Sequence, residues 1–395
     1  MNDTRDKNVH TSVQRNRENL SEQKLQLPTQ ALGLPNYIII QTKKMSKKIA
    51  KNFGIIGCGM IADFHAKAVA EINGNTVACF DNVKQAADRL AKTTGCTAYS
   101  DMDSFLAHPG LEIVTIGTPS GAHLEPAVAA AKAGKHLIVE KPLEITLEKC
   151  DKIIDASEKA GVVLATIFPS RFHRSSLRLK TAVEQKRFGR LTLGDAIVKW
   201  YRTQEYYDSG KWRGTWELDG GGALMNQAIH TVDLLSWLMG PVVEITAQTA
   251  LLAHERIEVE DTAVATVKFA NGALGIIEAS TAAYPGYLKR VEIHGSEGSA
   301  VIEEEDIIKW DFRESKSEDA EIREQMSNRL SGGGGGAADP ASIGHHGHAK
   351  LFADVIEAIE TGKAPVCDGY EGRRSVEIIL GIYESAGTGK TVVLS

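Results

Sequence analysis

NFGIIGCGMIADFH, residues 52–65, decides the fold. A short apolar run ends at Ile56, and Gly57, Gly59 and Ala62 follow at the spacing G-x-G-x-x-A. The first glycine permits a tight turn out of a strand. The second lets backbone approach a pyrophosphate, and the small third residue lets a helix pack close to the strand. The N-terminus of that helix then faces the anion. Alone the motif is weak; between an apolar strand and an amphipathic helix it is a dinucleotide-binding fingerprint. Met60 and Ile61 occupy the turn itself.

Outward from this stretch the chain alternates. TVACFD, LEIVTIGTP, KHLIVEKP and VVLATIFP are apolar strands, and between them VKQAADRLAKTTG, EPAVAAAKAG and LEKCDKIIDASEKAG read as helices ended by glycine. Strands apolar on both faces, separated by amphipathic helices, predict a parallel sheet covered on both sides. The N-terminal part is therefore expected to be a doubly wound α/β Rossmann domain over 45–169.

After residue 190 the pattern changes. LTLGDAIVKWYR, VVEITAQTALL, DTAVATVKFA, ALGIIEAST, LKRVEIHG and SAVIEE read as successive strands, with Asn271-Gly272 as a hairpin turn. Residues 170–395 are expected to form a C-terminal α+β domain built on a large, mostly antiparallel, open-faced sheet. Residues 314–349, charged and then glycine-rich, read as a long loop. LFADVIEAIETG and RRSVEIILGIYESAG read as closing helices.

Bulk properties exclude several classes. With 395 residues, 43% hydrophobic and 24% charged, the chain has soluble globular composition. A net charge of −6 gives no basic field for nucleic acid. Five scattered cysteines, with no CxxC pair, predict reduced thiols in a cytoplasmic compartment and no structural metal. No apolar run approaches the roughly 20 residues that span a bilayer. Residues 1–44 read as a disordered tail or a mis-assigned start, because Met45 directly precedes the first strand.

Two positions carry cofactor and proton chemistry. Asp81 ends the second strand, 24 residues after Gly57. A carboxylate there accepts ribose hydroxyls and repels a 2′-phosphate, which favours NAD over NADP. Lys141, in IVEKP, is delivered by an apolar strand to the crevice where such sheets bind ligands. Desolvation and a positive nicotinamide ring would lower its pKa, which suits proton transfer near neutral pH.

DGGGALMNQAIHTVDLL, residues 219–235, is a greasy helix led by glycines and carrying Asn226, His230 and Asp233 at i, i+4 and i+7. These share one face, opposite an apolar stripe of Ala228, Val232, Leu235 and Met239. An unpaired buried polar group costs about 1–3 kcal/mol. The stripe must therefore face a satisfied network or a polar cleft, and the glycines are expected to let backbone pass close to cofactor or substrate.

GCGMIA, TPSGAH at 118–123, EKP at 140–142 and the glycine-led histidine helix together resemble the glucose–fructose oxidoreductase/inositol dehydrogenase family, Gfo/Idh/MocA, over essentially the whole chain from Met45. The resemblance implies an NAD(P)-dependent oxidoreductase acting on CH–OH groups of sugars, cyclitols or nucleotide-sugars. It implies Lys141 and His230 as the acid–base pair. It implies cofactor contacts from Gly57, Gly59, Met60, Ile61, Ala62 and Asp81, and from Thr118, Pro119, His123, Glu140 and Lys141. Many members carry aspartate where this chain has Asn226, so acid–base work would rest more on Lys141 and His230. WRGTWELDGGGALMNQ resembles the branch that includes UDP-N-acetylglucosaminuronate 3-dehydrogenases. Trp212, Arg213, Thr215 and Trp216 are then expected at the cleft rim, since sugar faces pack on indoles and guanidinium forks pair with carboxylates. The alternative is that the tryptophans pack on the sheet. Arg171 is expected to reach cofactor or substrate, with Lys141, Trp212, Arg213, Asn226 and His230 completing the substrate contacts.

Two other motifs carry nothing. AGTGKT, residues 386–391, has Glu384 where a phosphate loop needs glycine. HHGH, residues 345–348, lacks an evident carboxylate or cysteine partner and reads as the start of a helix, not a metal site. An open sheet face needs cover, which predicts a homo-oligomer, dimer or tetramer. Two further function classes fit the same residues: a redox-neutral enzyme that keeps its NAD, and a non-catalytic sugar or dinucleotide sensor. Net NADH release separates the first from a dehydrogenase; a stable protein partner without turnover marks the second.

Overall fold

Six parallel strands form the first sheet in the computed structural model, which describes residues 51–327 and 344–394. The expectation for residues 1–44 falls outside the described residues. The strands are β1 (Asn52–Ile56), β2 (Asn75–Phe80), β3 (Thr97–Tyr99), β4 (Ile113–Ile116), β5 (His136–Val139) and β6 (Leu164–Thr166). Their order is β3-β2-β1-β4-β5-β6, so the order in which strands are added reverses between β1 and β4. Ligands bind such sheets at that switch point, outside the carboxyl ends of the strands. Helices α1 (Met60–Glu71), α2 (Lys84–Thr94), α3 (Met102–Leu106), α4 (Leu124–Lys132) and α5 (Leu147–Ala160) connect them. Their limits follow local chemistry: Thr146 caps α5 by accepting from the Lys149 N–H, and Gly95 and Gly161 end α2 and α5 in the left-handed region.

Eight strands form the second sheet. After α6 (Arg174–Glu184) come β7 (Leu191–Lys199), α7 (Gln204–Asp208), a π-helical turn at Ala223–Ala228 and α8 (Ile229–Met239). Then follow β8 (Val242–Ala250), β9 (Thr262–Phe269), β10 (Leu274–Ser280), β11 (Arg290–Gly295), β12 (Gly298–Glu303) and β13 (Asp306–Phe312). The chain closes with α9 (Glu318–Ser327), α10 (His346–Thr361), α11 (Gly369–Thr388) and β14 (Val392–Val393). The sheet order is β13-β12-β11-β7-β10-β9-β8-β14. Only β7 and β10 run parallel among these pairs; the others are antiparallel. Asn271-Gly272 turns β9 into β10, with Gly272 at φ +86.

One face of this sheet is covered by α8 and α11. The other leaves Val264, Leu274 and Ile276 exposed, alternating with buried Ala263, Ala265 and Ile277 as a period of two requires. The segment read as one long loop is a correction: α9 lies within it, held by Asp319, which accepts from both Arg187 and the Trp310 indole. Residues 328–343, with the glycine run, lie outside the described residues. The AGTGKT stretch ends α11, with Gly389 as its left-handed cap.

Candidate active site

The glycine turn behaves as its spacing predicts. Gly57 has φ +85, and a Cβ on it would lie 2.7 Å from the backbone of Gly117 after β4. Gly59, by contrast, has open space on its Cβ side, and no side chain caps α1 there. Unsatisfied N–H groups beside open space fit a bound pyrophosphate. Ala62 is fully buried, while Met60 is exposed at the mouth of the turn. Ile61 packs against Gly117. Asp81 accepts from the Cys58 N–H at 2.7 Å and the Val83 N–H at 2.8 Å, which locks its carboxylate beside the turn.

The TPSGAH segment holds the far side. Thr118 Oγ1 donates to the Ala122 carbonyl, and Pro119 precedes a short 3₁₀ turn at Ser120–Ala122. His123 corrects an expectation. Its side chain is fully buried, with one ring nitrogen 2.9 Å from the Pro142 carbonyl and the other 3.1 Å from the Thr118 carbonyl. It braces two loops against each other and offers no side-chain atom to a cofactor. Glu140 is a second correction. It is buried, 3.0 Å from His65 Nε2 and 3.6 Å from His348 Nε2. Its other oxygen accepts from the Lys141 N–H at 3.1 Å. Burial would raise its pKa, but hydrogen bonds to His348 and His65 outweigh burial and hold it well below the carboxylate range. Glu140 thus anchors α1 and α10 to the end of β5 and directs Lys141 outward. HHGH supplies that anchor from the first turn of α10.

Lys141 Nζ donates to the Asn226 carbonyl at 2.8 Å. Burial lowers its pKa from the ordinary lysine value; Glu140 and Asp219 raise it, and Arg202 lowers it further. His230 lies close enough for the Lys141 charge to act on it. Burial first, then Lys141, push its imidazole well below 6.5, so it is neutral at pH 7. Its ring stands edge-on to Phe168 at 6.0 Å, and its Nδ1 is enclosed without a hydrogen-bond partner among the described residues.

The glycines before this helix have a different cause from the expected one. A Cβ on Gly222 would overlap the Glu260 carbonyl, one on Gly221 the Tyr383 hydroxyl, and one on Gly220 the Ile145 side chain. The close approach is to protein, not to ligand. Glu260 accepts from the Gly222 and Leu224 N–H groups and from Tyr383, and so caps the π turn. Burial pushes its carboxyl up to about 7. The wider π turn also breaks the simple i, i+4, i+7 stripe. Asn226 and His230 are only partly buried, whereas Asp233 is fully buried.

Arg171 follows Asp233 rather than the cleft, which corrects the reading that it reaches cofactor or substrate. It is 2% exposed. Its Nε and Nη2 donate to Asp233 at 2.8 and 2.6 Å, and Nη2 also meets Glu371 at 2.6 Å. Nη1 donates to the Val366 carbonyl, and Ser375 donates to Asp233. Four of its five N–H donors are thereby held inside a buried network.

Two residues absent from the sequence reading complete the centre. Asp219 is 1% exposed and accepts from Asn226 Nδ2 and from the Gly214 N–H. Gln227 donates to Asn226 Oδ1 and accepts from Arg202. Both ends of the Asn226 amide are therefore engaged. In the segment expected at the rim, the Arg213 guanidinium lies 4.7 Å over Tyr206 and 5.0 Å over Trp212. Thr215 bonds back to the Trp212 carbonyl. Trp216 is 46% exposed and stands edge-on to Tyr383. Leu218 of this rim accepts from the Gly121 N–H, so the rim docks on the first sheet's loops.

The comparisons agree with this geometry. Residues 51–168 match the oxidoreductase family with an NAD-binding Rossmann fold, and residues 176–301 match the GFO/IDH/MocA C-terminal domain. The structure is similar to the WlbA dehydrogenase of Bordetella pertussis, solved with NADH and UDP-GlcNAcA: TM-score 0.79 and 36% identity, covering 88% of this chain and 98% of that one. A myo-inositol 2-dehydrogenase of Thermotoga maritima is 32% identical over 62% of this chain and 73% of its own length. A levoglucosan dehydrogenase of Pseudarthrobacter phenanthrenivorans is 29% identical over 63% of this chain and 73% of its own. The chain belongs to the GFO/IDH/MocA oxidoreductases, whose Rossmann domain binds NAD.

Proposed function

We propose that this chain oxidises a ring hydroxyl of a nucleotide-linked sugar acid, with Lys141 as the acid–base residue and His230 as its partner. One observation carries the reading: Lys141 Nζ meets the turn that leads into the His230 helix at the carboxyl end of β5, in the same sheet whose β1 runs into the open glycine turn. The likeness to the WlbA dehydrogenase supports this substrate class over free cyclitols, as does the rim bearing Arg213 and Trp216. A guanidinium suits a carboxylate or diphosphate, and an indole suits a sugar face.

Bound nicotinamide supplies the hydride acceptor. Gly57, Gly59 and the start of α1 would hold the pyrophosphate, and Asp81 the adenosine ribose. Lys141, whose neutral form burial favours, takes the hydroxyl proton as the carbon–hydrogen bond breaks. His230, neutral at pH 7, accepts a hydrogen bond from the adjacent hydroxyl. In the reverse direction the same groups return the proton.

The split into a cofactor domain over 45–169 and a substrate domain over 170–395 belongs to this proposal. So does a cytoplasmic location, which the five free cysteines support. Among the described residues no helix is long and apolar enough to cross a membrane. The exposed Val264, Leu274 and Ile276 face supports a homo-oligomer that covers it.

The test is an absorbance screen for net NADH formation against UDP-sugar acids, free sugars and cyclitols. Turnover of a UDP-sugar acid at least tenfold above the free compounds is expected. Turnover confined to free cyclitols overturns the substrate class, and no net NADH with any compound overturns the dehydrogenase reading.

A further inference from the structure

Two carboxylates stabilise the Lys141 ammonium, Glu140 and Asp219, and they differ in what else holds them. Glu140 is already matched by His65 and His348. Asp219 forms no ion pair with a basic side chain among the described residues. Its oxygens take an amide from Asn226 and the backbone N–H of Gly214, and it is almost completely buried. A buried carboxylate held by neutral donors keeps its field for a nearby cation. The Asn226 residue that it grips is the one whose carbonyl receives Lys141 Nζ. Gly214, its other donor, lies in the rim between Arg213 and Thr215.

We propose that Asp219 is the positioning carboxylate of the site: it sets Lys141 through Asn226 and ties that setting to the substrate rim through Gly214. This role rests on the dehydrogenase reading for its meaning, but not for its test. The charged groups facing Lys141 are Glu140, Asp219, Arg202 and, when protonated, His230. Those facing Asp219 are Lys141 and Arg213.

The hydrogen-bond pattern offers a clean swap. In Asp219→Asn/Asn226→Asp, the new amide donates to the new carboxylate and still accepts from Gly214, while Gln227 still donates to position 226. Every bond is kept, and the charge moves onto the residue whose backbone carbonyl receives Lys141 Nζ. The readout is the pH dependence of Lys141 acetylation by acetic anhydride, followed by peptide mass spectrometry on the ligand-free protein. In Asp219→Asn the midpoint is expected to fall, raising Lys141 reactivity at pH 7 about tenfold, one pKa unit's worth. In the swap the midpoint is expected to rise above wild type. An unmoved midpoint in Asp219→Asn overturns the proposal. Should that variant not fold, an unmoved midpoint in the swap overturns it equally.

With an oxidisable sugar in hand, Asp219→Asn is expected to lower kcat about tenfold or more and shift the kcat/KM limb to lower pH, and the swap to recover kcat. A shifted labelling curve without any wild-type turnover would sink the dehydrogenase reading and leave this proposal standing; normal turnover with an unmoved curve would do the opposite.

Discussion

Asn226 with His230, and Asp233 one turn further on, are neighbours in sequence with opposite fates. Around Asp233 both carboxylate oxygens are matched: Arg171 and Ser375 donate to them, and Glu371 shares the Arg171 guanidinium. Around His230 the matching is incomplete. One ring nitrogen is enclosed and unpartnered, and the nearby ammonium rests on a backbone carbonyl. A closed network fixes α8 against the 3₁₀ turn after β6 and against α11. The open one leaves a ring nitrogen and an amine without such closure. The difference separates a stability element from a chemical one more reliably than the identity of the residues does.

That contrast can be broken or sharpened experimentally. Lys141→Met, in the open cluster, is expected to lower kcat about 10³-fold or more while NAD binding by fluorescence titration stays within about twofold. Arg171→Met, in the closed one, should cost about 3–5 kcal/mol in denaturant unfolding, because Asp233 is left buried and uncompensated. The KM for NAD of the remaining folded enzyme should not move; a raised KM would return Arg171 to the ligand site. His230→Ala is expected to lower kcat about 10²-fold with a stability change under about 1 kcal/mol, since it removes an unsatisfied group. A loss as large as that of Arg171→Met would place His230 in the scaffold.

Two smaller effects follow. With the neutral amine as the proposed base, which burial favours, kcat/KM for oxidation should rise with pH and level off below the ordinary lysine value of 10.5. A limb at or above that value would contradict the desolvated setting. Asp81→Ala should weaken NAD binding about tenfold, roughly 1.4 kcal/mol, and narrow the preference over NADP. An unchanged ratio of the two affinities would remove Asp81 from cofactor selection.

Much of the fold was legible because its periods are pure. Apolar strands alternating with glycine-ended helices made five of the six strands of the first sheet legible, the three-residue β3 being too short to show a period, and six strands of the second were equally plain. β13 was not, because DIIKWDF follows the charged run Glu303-Glu-Glu305. Nor was α9, polar around nearly its whole circumference and held by the buried pair of Asp319 with Arg187. Lys141 and His230 could be read because local motifs deliver them. Arg171 could not, since its partners lie 62 and 200 positions away. The glycines at 220–222 misled in the same way: they announce a close approach, but only the packed chain says that Glu260 and Tyr383 make it. Asp219 stood at the head of the same stretch with no local signal to set it apart.

The most direct measurement is a crystal structure of the ternary complex with NADH and a substrate that turns over. The account predicts the reacting hydroxyl within about 2.6–3.2 Å of Lys141 Nζ or the His230 ring, with its carbon over the nicotinamide. A substrate bound with that hydroxyl turned away, and Lys141 still donating to the Asn226 carbonyl alone, would contradict it.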